Sequence, residues 1–268
     1  MQQDALAPYT VILVVRRTGP DPAISRRSHL PGCGSGEGQQ GCSVDPPQRR
    51  GSIEPAYLLS KTCKRLATNR FVVAIPRRAK SAATLIALGA DEIHMGLMSE
   101  LGPIEPQIRD SQGGAYPALA LGNALEELAR LCHDFPNSSA MLSSYLGQHL
   151  DLRVLGYLKR IGVSAAQYAE RLLGTKPLPD GRTAEQLANH FVNYYQDHGF
   201  VIDIEEGVAL LGREIVKFGT PEYAAANEIY QFLDTLSFLL RMFKQSTFDY
   251  VGSISQGPNI RHRSLPNT

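Results

Sequence analysis

Ser81 is the residue of this sequence whose position best suits it to act as a nucleophile. It follows a short apolar run, Phe71–Ile75, that Pro76 ends, and it precedes the small-residue run Ala82–Ala90. A nucleophilic serine needs its hydroxyl held at a strand-to-helix turn, backbone N–H groups that bind a developing oxyanion, and a base within reach. A serine at the start of a helix can instead cap free backbone N–H groups. Both interpretations of Ser81 remain open from the sequence.

The elements around Ser81 alternate between strand and helix. Apolar residues with helical spacing predict a helix over 53–68, and short apolar runs predict strands at Phe71–Ile75 and Glu92–Met95. This alternation predicts an α/β layered fold. The second half of the chain is predicted to be mostly helical, with helices at Leu119–Cys132, Leu152–Leu173, Thr183–Tyr194 and Glu222–Phe243.

Composition limits the possible function classes. The chain has 268 residues and a formal charge of +1, which removes the electrostatic case for a nucleic-acid partner. No apolar run approaches the roughly 18 residues of a membrane span, and no secretion signal is recognisable. The four cysteines, Cys33, Cys42, Cys63 and Cys132, fit neither a metal-ligand spacing nor a disulfide scaffold. We therefore expect a cytoplasmic protein without metal or cofactor.

Three regions of the chain differ in amino-acid composition and patterning. Residues 1–50 form a divergent segment that is rich in glycine and proline and is predicted to be largely disordered, apart from one short strand within Tyr9–Val15. Residues 51–250 carry the patterned sequence of a folded domain. Residues 251–268 are predicted to be a loose tail.

Three ordered motifs resemble the serine dehydrogenase proteinase family, a branch of the Clp-protease and crotonase superfamily that is related to signal peptide peptidase A. The motifs are Gly51–Ala56, Ser81–Ile93 and Leu101–Gln107, and the resemblance extends over roughly 51–211. It implies a Clp/crotonase-like layered fold with a helical C-terminal part. It also implies a serine peptidase in which Ser81 attacks a peptide carbonyl and the backbone N–H groups of Gly51 and Ala82 bind the oxyanion.

The resemblance leaves the general base open between His198 and Lys159. His198 follows Ser81 in the chain, as the family's Ser–Asp–His order requires, and histidines titrate near neutral pH. Lys159 stands about where a serine–lysine dyad would place its amine, and would have to lose its proton in a desolvated site. The structural alternatives are a turn residue for His198 and a solvated helix face for Lys159. Asp180 is a possible orienting acid or a turn residue, and Asp91 is expected to brace the scaffold.

Other polar residues receive simpler interpretations. His94 is expected to be a packed core histidine rather than a metal ligand. Glu100 and Glu105 could be paired carboxylates, but a turn between sheet layers explains them more simply. The basic residues before Ser81 could steer an acidic substrate or stabilise an oxyanion, although exposed loop charges usually do neither; they are Arg77, Arg78 and Lys80.

The chain departs from the family pattern before Ser52. Arg50 replaces the first glycine of an expected Gly-Gly turn, and the glycine- and proline-rich segment replaces the preceding strand. Two alternatives to a peptidase therefore remain. One is an acyl-CoA enzyme of the crotonase branch, and the other is a catalytically impaired relative that acts in subunit assembly. Relatives form oligomers, so the resemblance implies a homo-oligomer, and the apolar spacing between Ile229 and Phe243 fits a helix that meets a neighbour.

Overall fold

The computed structural model describes residues 12–15, 53–67, 69–109, 115–150, 152–179, 181–244, 246–253 and 257–264. The predicted disorder of the N-terminal segment, Arg50 and the oxyanion candidate Gly51 lie outside these residues, as does Asp180. The described part is mixed α/β, which confirms the predicted class at that level. It contains no helix that is long and apolar enough to cross a membrane.

Two small parallel sheets lie at the centre of the described structure. Strands β2 (Val72–Ile75), β4 (Glu92–Met95) and β8 (Val216–Phe218) form one parallel sheet with β4 in the middle. Strands β3 (Arg78–Ala79) and β5 (Glu100–Leu101) form a second parallel pair. The strands predicted at Phe71–Ile75 and Glu92–Met95 are therefore confirmed to within one residue.

The helices predicted from the sequence are present with similar bounds, and two further helices, Ser139–His149 and Ile204–Leu211, were not predicted. They are α1 (Ile53–Leu66), α2 (Ala82–Leu88), α3 (Ala120–Asp134), α4 (Ser139–His149), α5 (Leu152–Leu173), α6 (Ala184–Asn189), α7 (Ile204–Leu211) and α8 (Pro221–Lys244). A short 3₁₀ turn, Pro136–Ser138, joins α3 to α4, and a π-helix, His190–Tyr194, continues α6. A strand pair, β6 (Gln107–Arg109) with β7 (Ala115–Pro117), precedes α3.

The small residues of α2 allow it to pack closely within the core. Leu85, Ala87 and Leu88 are fully buried. The Ser60 hydroxyl of α1 donates a 3.0 Å hydrogen bond to the carbonyl of Ile86, which ties the two helices together. A short, nearly all-apolar helix of this kind forms because its burial stabilises it, since seven residues are too few for an independent helix in water.

The C-terminal region differs from the prediction of a loose tail after residue 250. Strands β9 (Ser246–Ser253) and β10 (Gly257–Ser264) pair as an antiparallel hairpin, and β1 (Ile12–Val15) adds to the other edge of β9. The prediction of a loose tail missed the pairing with distant β1, which no local pattern encodes. The strand predicted within Tyr9–Val15 is confirmed over Ile12–Val15.

Candidate functional site

Ser81 occupies a strained turn between a strand and a helix. It follows β3 and directly precedes α2, and its backbone has φ 52° and ψ −113°. It has the only positive φ of any non-glycine residue in the described part of the chain. A side chain held in such a conformation costs about 1–3 kcal/mol, and strained residues of this kind cluster at functional sites. Strained strand-to-helix turns also present the nucleophilic serine in α/β-hydrolases.

The hydroxyl of Ser81 does not cap the helix. It makes no capping hydrogen bond, and no described side chain or carbonyl pairs with it. Instead the backbone fixes the turn, because the Ser81 amide donates to the carbonyl of Pro103 at 3.1 Å and the Ser81 carbonyl accepts from Leu85 at 3.0 Å. The capping interpretation of Ser81 is therefore wrong. The hydroxyl is left available for chemistry on a partly exposed residue.

A buried threonine supports the turn from beneath. The Thr84 Oγ1 atom lies 2.6 Å from the carbonyl oxygen of Ala79 and 2.8 Å from that of Gly102, so its single proton can be donated to either, and the side chain is fully buried. These contacts join the end of β3 to the segment after β5. The Ala82 amide, in the first turn of α2, has no hydrogen-bond acceptor among the described residues. It is thus available as a hydrogen-bond donor beside Ser81.

His198 lies in a tight loop that the structure brings to the same region. We call residues 80–82 the serine turn and residues 197–200 the histidine loop. The loop is closed by Asp197, whose carboxylate accepts from the Gly199 amide at 3.0 Å and whose carbonyl accepts from the Phe200 amide at 3.0 Å. Lys80 joins the serine turn to the histidine loop, since its ammonium donates to the carbonyl of Phe200 at 2.6 Å.

Glu105 faces His198 and was not expected to do so. Its Oε2 atom lies 3.8 Å from the His198 Nδ1 atom, and neither atom has a hydrogen-bond partner although both are buried. Buried polar atoms without partners are rare and costly. Glu105 is 4% exposed, and its surroundings are the buried segment between β5 and β6. A small closure would convert the contact into a hydrogen bond from imidazole to carboxylate.

Burial shifts the pKa values of Glu105 and His198 in the directions that favour their neutral forms. Burial, and then the negative charge of Asp197, raise the pKa of Glu105 to about 7. Burial lowers the pKa of His198, the Asp197 carboxylate opposes this, and the positive charge of Lys80 adds to the lowering. Near neutral pH the imidazole is therefore kept in the neutral form that a general base requires.

Lys159 and Asp91 have different surroundings in the structure. Lys159 is exposed on α5, where it lines a surface groove with Gly162, Asn189 and Asn193, and no described contact joins it to Ser81. Asp91 pairs with Lys64 and accepts from the Phe71 amide at 2.8 Å, which confirms that it braces the scaffold.

His94 and the basic turn also have structural roles. His94 is buried and hydrogen-bonded to Thr220 at 2.6 Å, which confirms a packed histidine. Arg78 pairs with Glu100 at 2.7 Å. Among the described residues, no group of histidine, cysteine and carboxylate side chains is arranged to hold a metal ion.

One signal in the sequence points to Glu105 as a candidate acid. Glu105 belongs to the Leu101–Gln107 motif and stands between Ser81 and His198 in the chain, as an acid in a Ser–acid–His order would. Its neighbouring prolines favoured the interpretation as a turn between sheet layers. Lys80, whose side chain reaches across about 120 residues of sequence, could not be assigned a partner from any local pattern.

Comparison with known proteins adds no further assignment to this geometry: no family model, no curated protein and no solved structure matches the chain.

Proposed function

We propose that the chain is a serine hydrolase of the Clp/crotonase type that acts on peptides, with Ser81 as its nucleophile. The observation that carries the proposal is the backbone of Ser81, which is strained at φ 52° in a strand-to-helix turn while the hydroxyl makes no hydrogen bond with the described residues. A serine with a purely structural role would be expected either to relax this strain or to use its hydroxyl as a cap. The two parallel sheets beside α2 are compatible with the layered fold that the proposal implies.

The proposed reaction is acyl transfer to Ser81 followed by hydrolysis. The Ser81 Oγ atom attacks the carbonyl carbon of the scissile peptide bond while the neutral His198 imidazole accepts the hydroxyl proton. The Ala82 N–H donates to the oxyanion, and the resemblance assigns a second donor to Gly51. The protonated His198 then gives its proton to the leaving amine, which leaves an ester on Ser81. Water deprotonated by His198 hydrolyses that ester and regenerates the enzyme.

Glu105 completes the proposed catalytic set as the orienting acid. When it is ionised, it can accept a hydrogen bond from the His198 Nδ1–H and stabilise the imidazolium that forms during the attack. The 3.8 Å separation and the unpaired state of both atoms support this role. The Ser81, Glu105 and His198 order along the chain fits the order that the resemblance implies.

His198 is the proposed base rather than Lys159. A lysine base must be desolvated to become neutral, and Lys159 is exposed on α5. Lys80, which adjoins Ser81, is also unsuited because its ammonium already donates to carbonyl groups and to Glu100. His198, in contrast, is partly buried, and its Nδ1 atom is buried without a hydrogen-bond partner.

The free hydroxyl of Ser81 favours the peptidase over the acyl-CoA alternative, since stabilising an enolate requires no serine nucleophile. Self-association remains part of the proposal, as does a cytoplasmic location. The C-terminal half of α8 supports self-association because it exposes large apolar side chains, namely Phe232, Phe238, Leu239, Met242 and Phe243. Sedimentation at several protein concentrations, compared with Phe232→Glu, tests this part.

The experiment that tests the proposed activity is labelling with a fluorophosphonate probe, followed by identification of the modified residue. We expect an adduct on Ser81, with a labelling rate at least about 10³-fold lower in His198→Asn than in the wild type. The matched controls are Ser144→Ala, which removes an exposed hydroxyl from α4, and Lys159→Met, and both should label like the wild type. Absence of any Ser81 adduct together with turnover of a thioester would favour the acyl-CoA alternative. Absence of both would favour the assembly role.

A further inference from the structure

We propose that Lys80 is a positioning residue that holds the histidine loop against the serine turn, and so sets the distance between the nucleophile and its base. This inference rests on the proposed function and deepens it, because it assigns to Lys80 the assembly of that same site. Lys80 does not itself contact the reacting atoms. It acts through the backbone of the residues that follow His198.

The ammonium group of Lys80 is surrounded by hydrogen-bond acceptors. Its Nζ atom lies 2.6 Å from the Phe200 carbonyl, 3.3 Å from the Gly199 carbonyl and 3.2 Å from the Leu101 carbonyl. It also lies 3.0 Å from Glu100 Oε2, and the side chain is only 18% exposed. An ammonium group has three N–H donors. Four acceptors converge on them, so the group is held from several directions and is more than a solvated surface charge.

These contacts join three segments that are distant in sequence. The carbonyls of Gly199 and Phe200 belong to the histidine loop, whereas Leu101 and Glu100 belong to β5. Lys80 itself adjoins Ser81, so a movement of its ammonium relative to β5 would move the loop relative to the nucleophile. Charge-assisted hydrogen bonds are stronger than neutral ones, which makes such a contact an effective link.

The histidine loop has few other anchors to the site. Beyond the loop, Leu101 and Ile202 exchange two backbone hydrogen bonds of 2.9 and 3.1 Å. Before the loop, the ring of Tyr195 packs against that of Phe200 with a centroid separation of 4.6 Å. These contacts hold the two ends of the segment. Among the described contacts, Lys80 supplies the hydrogen bonds that join the serine turn to the carbonyls of the loop itself.

A second effect of Lys80 gives the inference a specific readout. Its positive charge opposes protonation of His198 and so contributes to the lowered pKa of that imidazole. Removing the charge should therefore move the pH dependence of labelling to higher pH, because His198 would need a higher pH to become neutral. A residue that contributed only to global stability would leave this profile unchanged.

The neighbouring Arg78 offers a matched control. It pairs with the same Glu100, at 2.7 Å, but its side chain is 54% exposed and makes no described contact with the histidine loop. Comparison of Lys80→Met with Arg78→Met thus separates the link to the loop from the loss of one cation near Glu100. Methionine keeps an unbranched apolar stem and removes both the N–H donors and the positive charge of lysine.

The experiment measures hydrogen–deuterium exchange over 197–203 together with the rate and pH profile of Ser81 labelling. In Lys80→Met we expect at least tenfold faster exchange in the loop, labelling about 10- to 100-fold slower, and a labelling profile displaced to higher pH. Arg78→Met should stay within about twofold of the wild type in both measurements. In Lys80→Arg, which restores the charge but not the compact donor geometry, we expect the wild-type pH profile with only partial recovery of the rate.

The outcomes distinguish this inference from the proposed function. Unchanged loop exchange in Lys80→Met overturns the positioning role, whether or not labelling falls. Faster loop exchange combined with an unaltered rate and pH profile overturns it as well. If the wild type itself is never labelled on Ser81, the proposed function fails, while exchange still reports whether Lys80 holds the loop. If Lys80→Met does not fold, Lys80→Arg supplies the same comparison, and exchange equal to the wild type would count against the inference.

Discussion

Replacing Glu105 by glutamine should make the protein more stable at alkaline pH and less active at the same time. The Glu105 side chain is 4% exposed, its Oε2 atom has no hydrogen-bond partner, and its pKa is raised to about 7. Burial is the main cause of that shift, and the charge of Asp197 adds to it. Glutamine has nearly the same shape but carries no charge, so it removes the cost of burying a carboxylate.

The size of the effect follows from the linkage between protonation and folding. A pKa of about 7 in the folded chain, against an ordinary 4.5, corresponds to about 3 kcal/mol of lost stability when the carboxyl is ionised. Below pH 4.5 the carboxyl is protonated in both states and imposes no such cost. Between pH 4.5 and 7 only the unfolded chain releases the proton, so the wild type loses stability as the pH rises. Above pH 7 the cost is constant.

Urea unfolding of the wild type and Glu105→Gln at pH 4.5 and pH 8 provides the assay. We expect similar free energies of unfolding at pH 4.5 and a variant that is more stable by up to about 3 kcal/mol at pH 8. Glu126→Gln, which changes an exposed carboxyl on α3, should show little pH-dependent difference. The Ser81 labelling rate at pH 8 should fall by up to about 10⁴-fold in Glu105→Gln, because an orienting carboxylate is lost.

Two results would refute this reasoning in different ways. A stability difference that does not change between pH 4.5 and pH 8 would mean that Glu105 is not a buried carboxyl with a raised pKa. Wild-type labelling by the glutamine variant would mean that Glu105 does not orient His198. A stabilised but inactive variant is the result that the geometry requires.

Three further predictions test other parts of the structure. Ser81→Gly should have a free energy of unfolding about 1 kcal/mol higher than that of Ser81→Ala, measured with urea, because only glycine adopts the positive φ without strain and both variants lack the proposed nucleophile. Equal stabilities would contradict the strain. Gly102→Ala should lower the melting temperature because its added Cβ would lie 2.2 Å from the Lys80 Cδ atom. The decrease in melting temperature should be smaller in a Lys80→Ala background, and an unchanged decrease would mean that this clash is not the cause. Burial lowers the pKa of His94, so its contribution to stability is present above pH 6.5 and is lost as the pH falls below 6.5. His94→Gln should therefore reduce the fall in the free energy of unfolding below pH 6.5. An unchanged fall would exclude His94 as its source.

The local elements around the site were predictable because their patterns are local. The apolar run before Pro76 and the small residues after Ser81 specify a strand and a helix from adjacent positions, and the observed bounds differ by one or two residues. The strain at Ser81 was not predictable in the same way. A positive φ at a serine has no sequence signature, and it arises from hydrogen bonds with Pro103 and Leu85 on either side of the turn.

The partners of the site depend on contacts between distant segments. Glu105 and His198 are 93 positions apart, and their pairing depends on how the segment after β5 packs beside the histidine loop. The same limit explains the C-terminal hairpin, whose β9 strand pairs with β1 from the other end of the chain. Spacing in one sequence identifies residue types that can do chemistry, but it does not show which of them meet.

Two costly features of the described structure lie on neighbouring segments. A serine in a strained conformation and a buried carboxyl oxygen beside a histidine each cost stability, and neither the Ser81 hydroxyl nor Glu105 Oε2 has a hydrogen-bond partner among the described residues. If their roles were structural, glycine at position 81 and glutamine at position 105 would each serve better. Lys80 links their surroundings, since it adjoins Ser81 and binds the loop that carries His198. Two stability costs at neighbouring positions are expected where a site is preorganised for a reaction. The reaction requires a free hydroxyl and a carboxylate, whereas selection for stability alone would replace both.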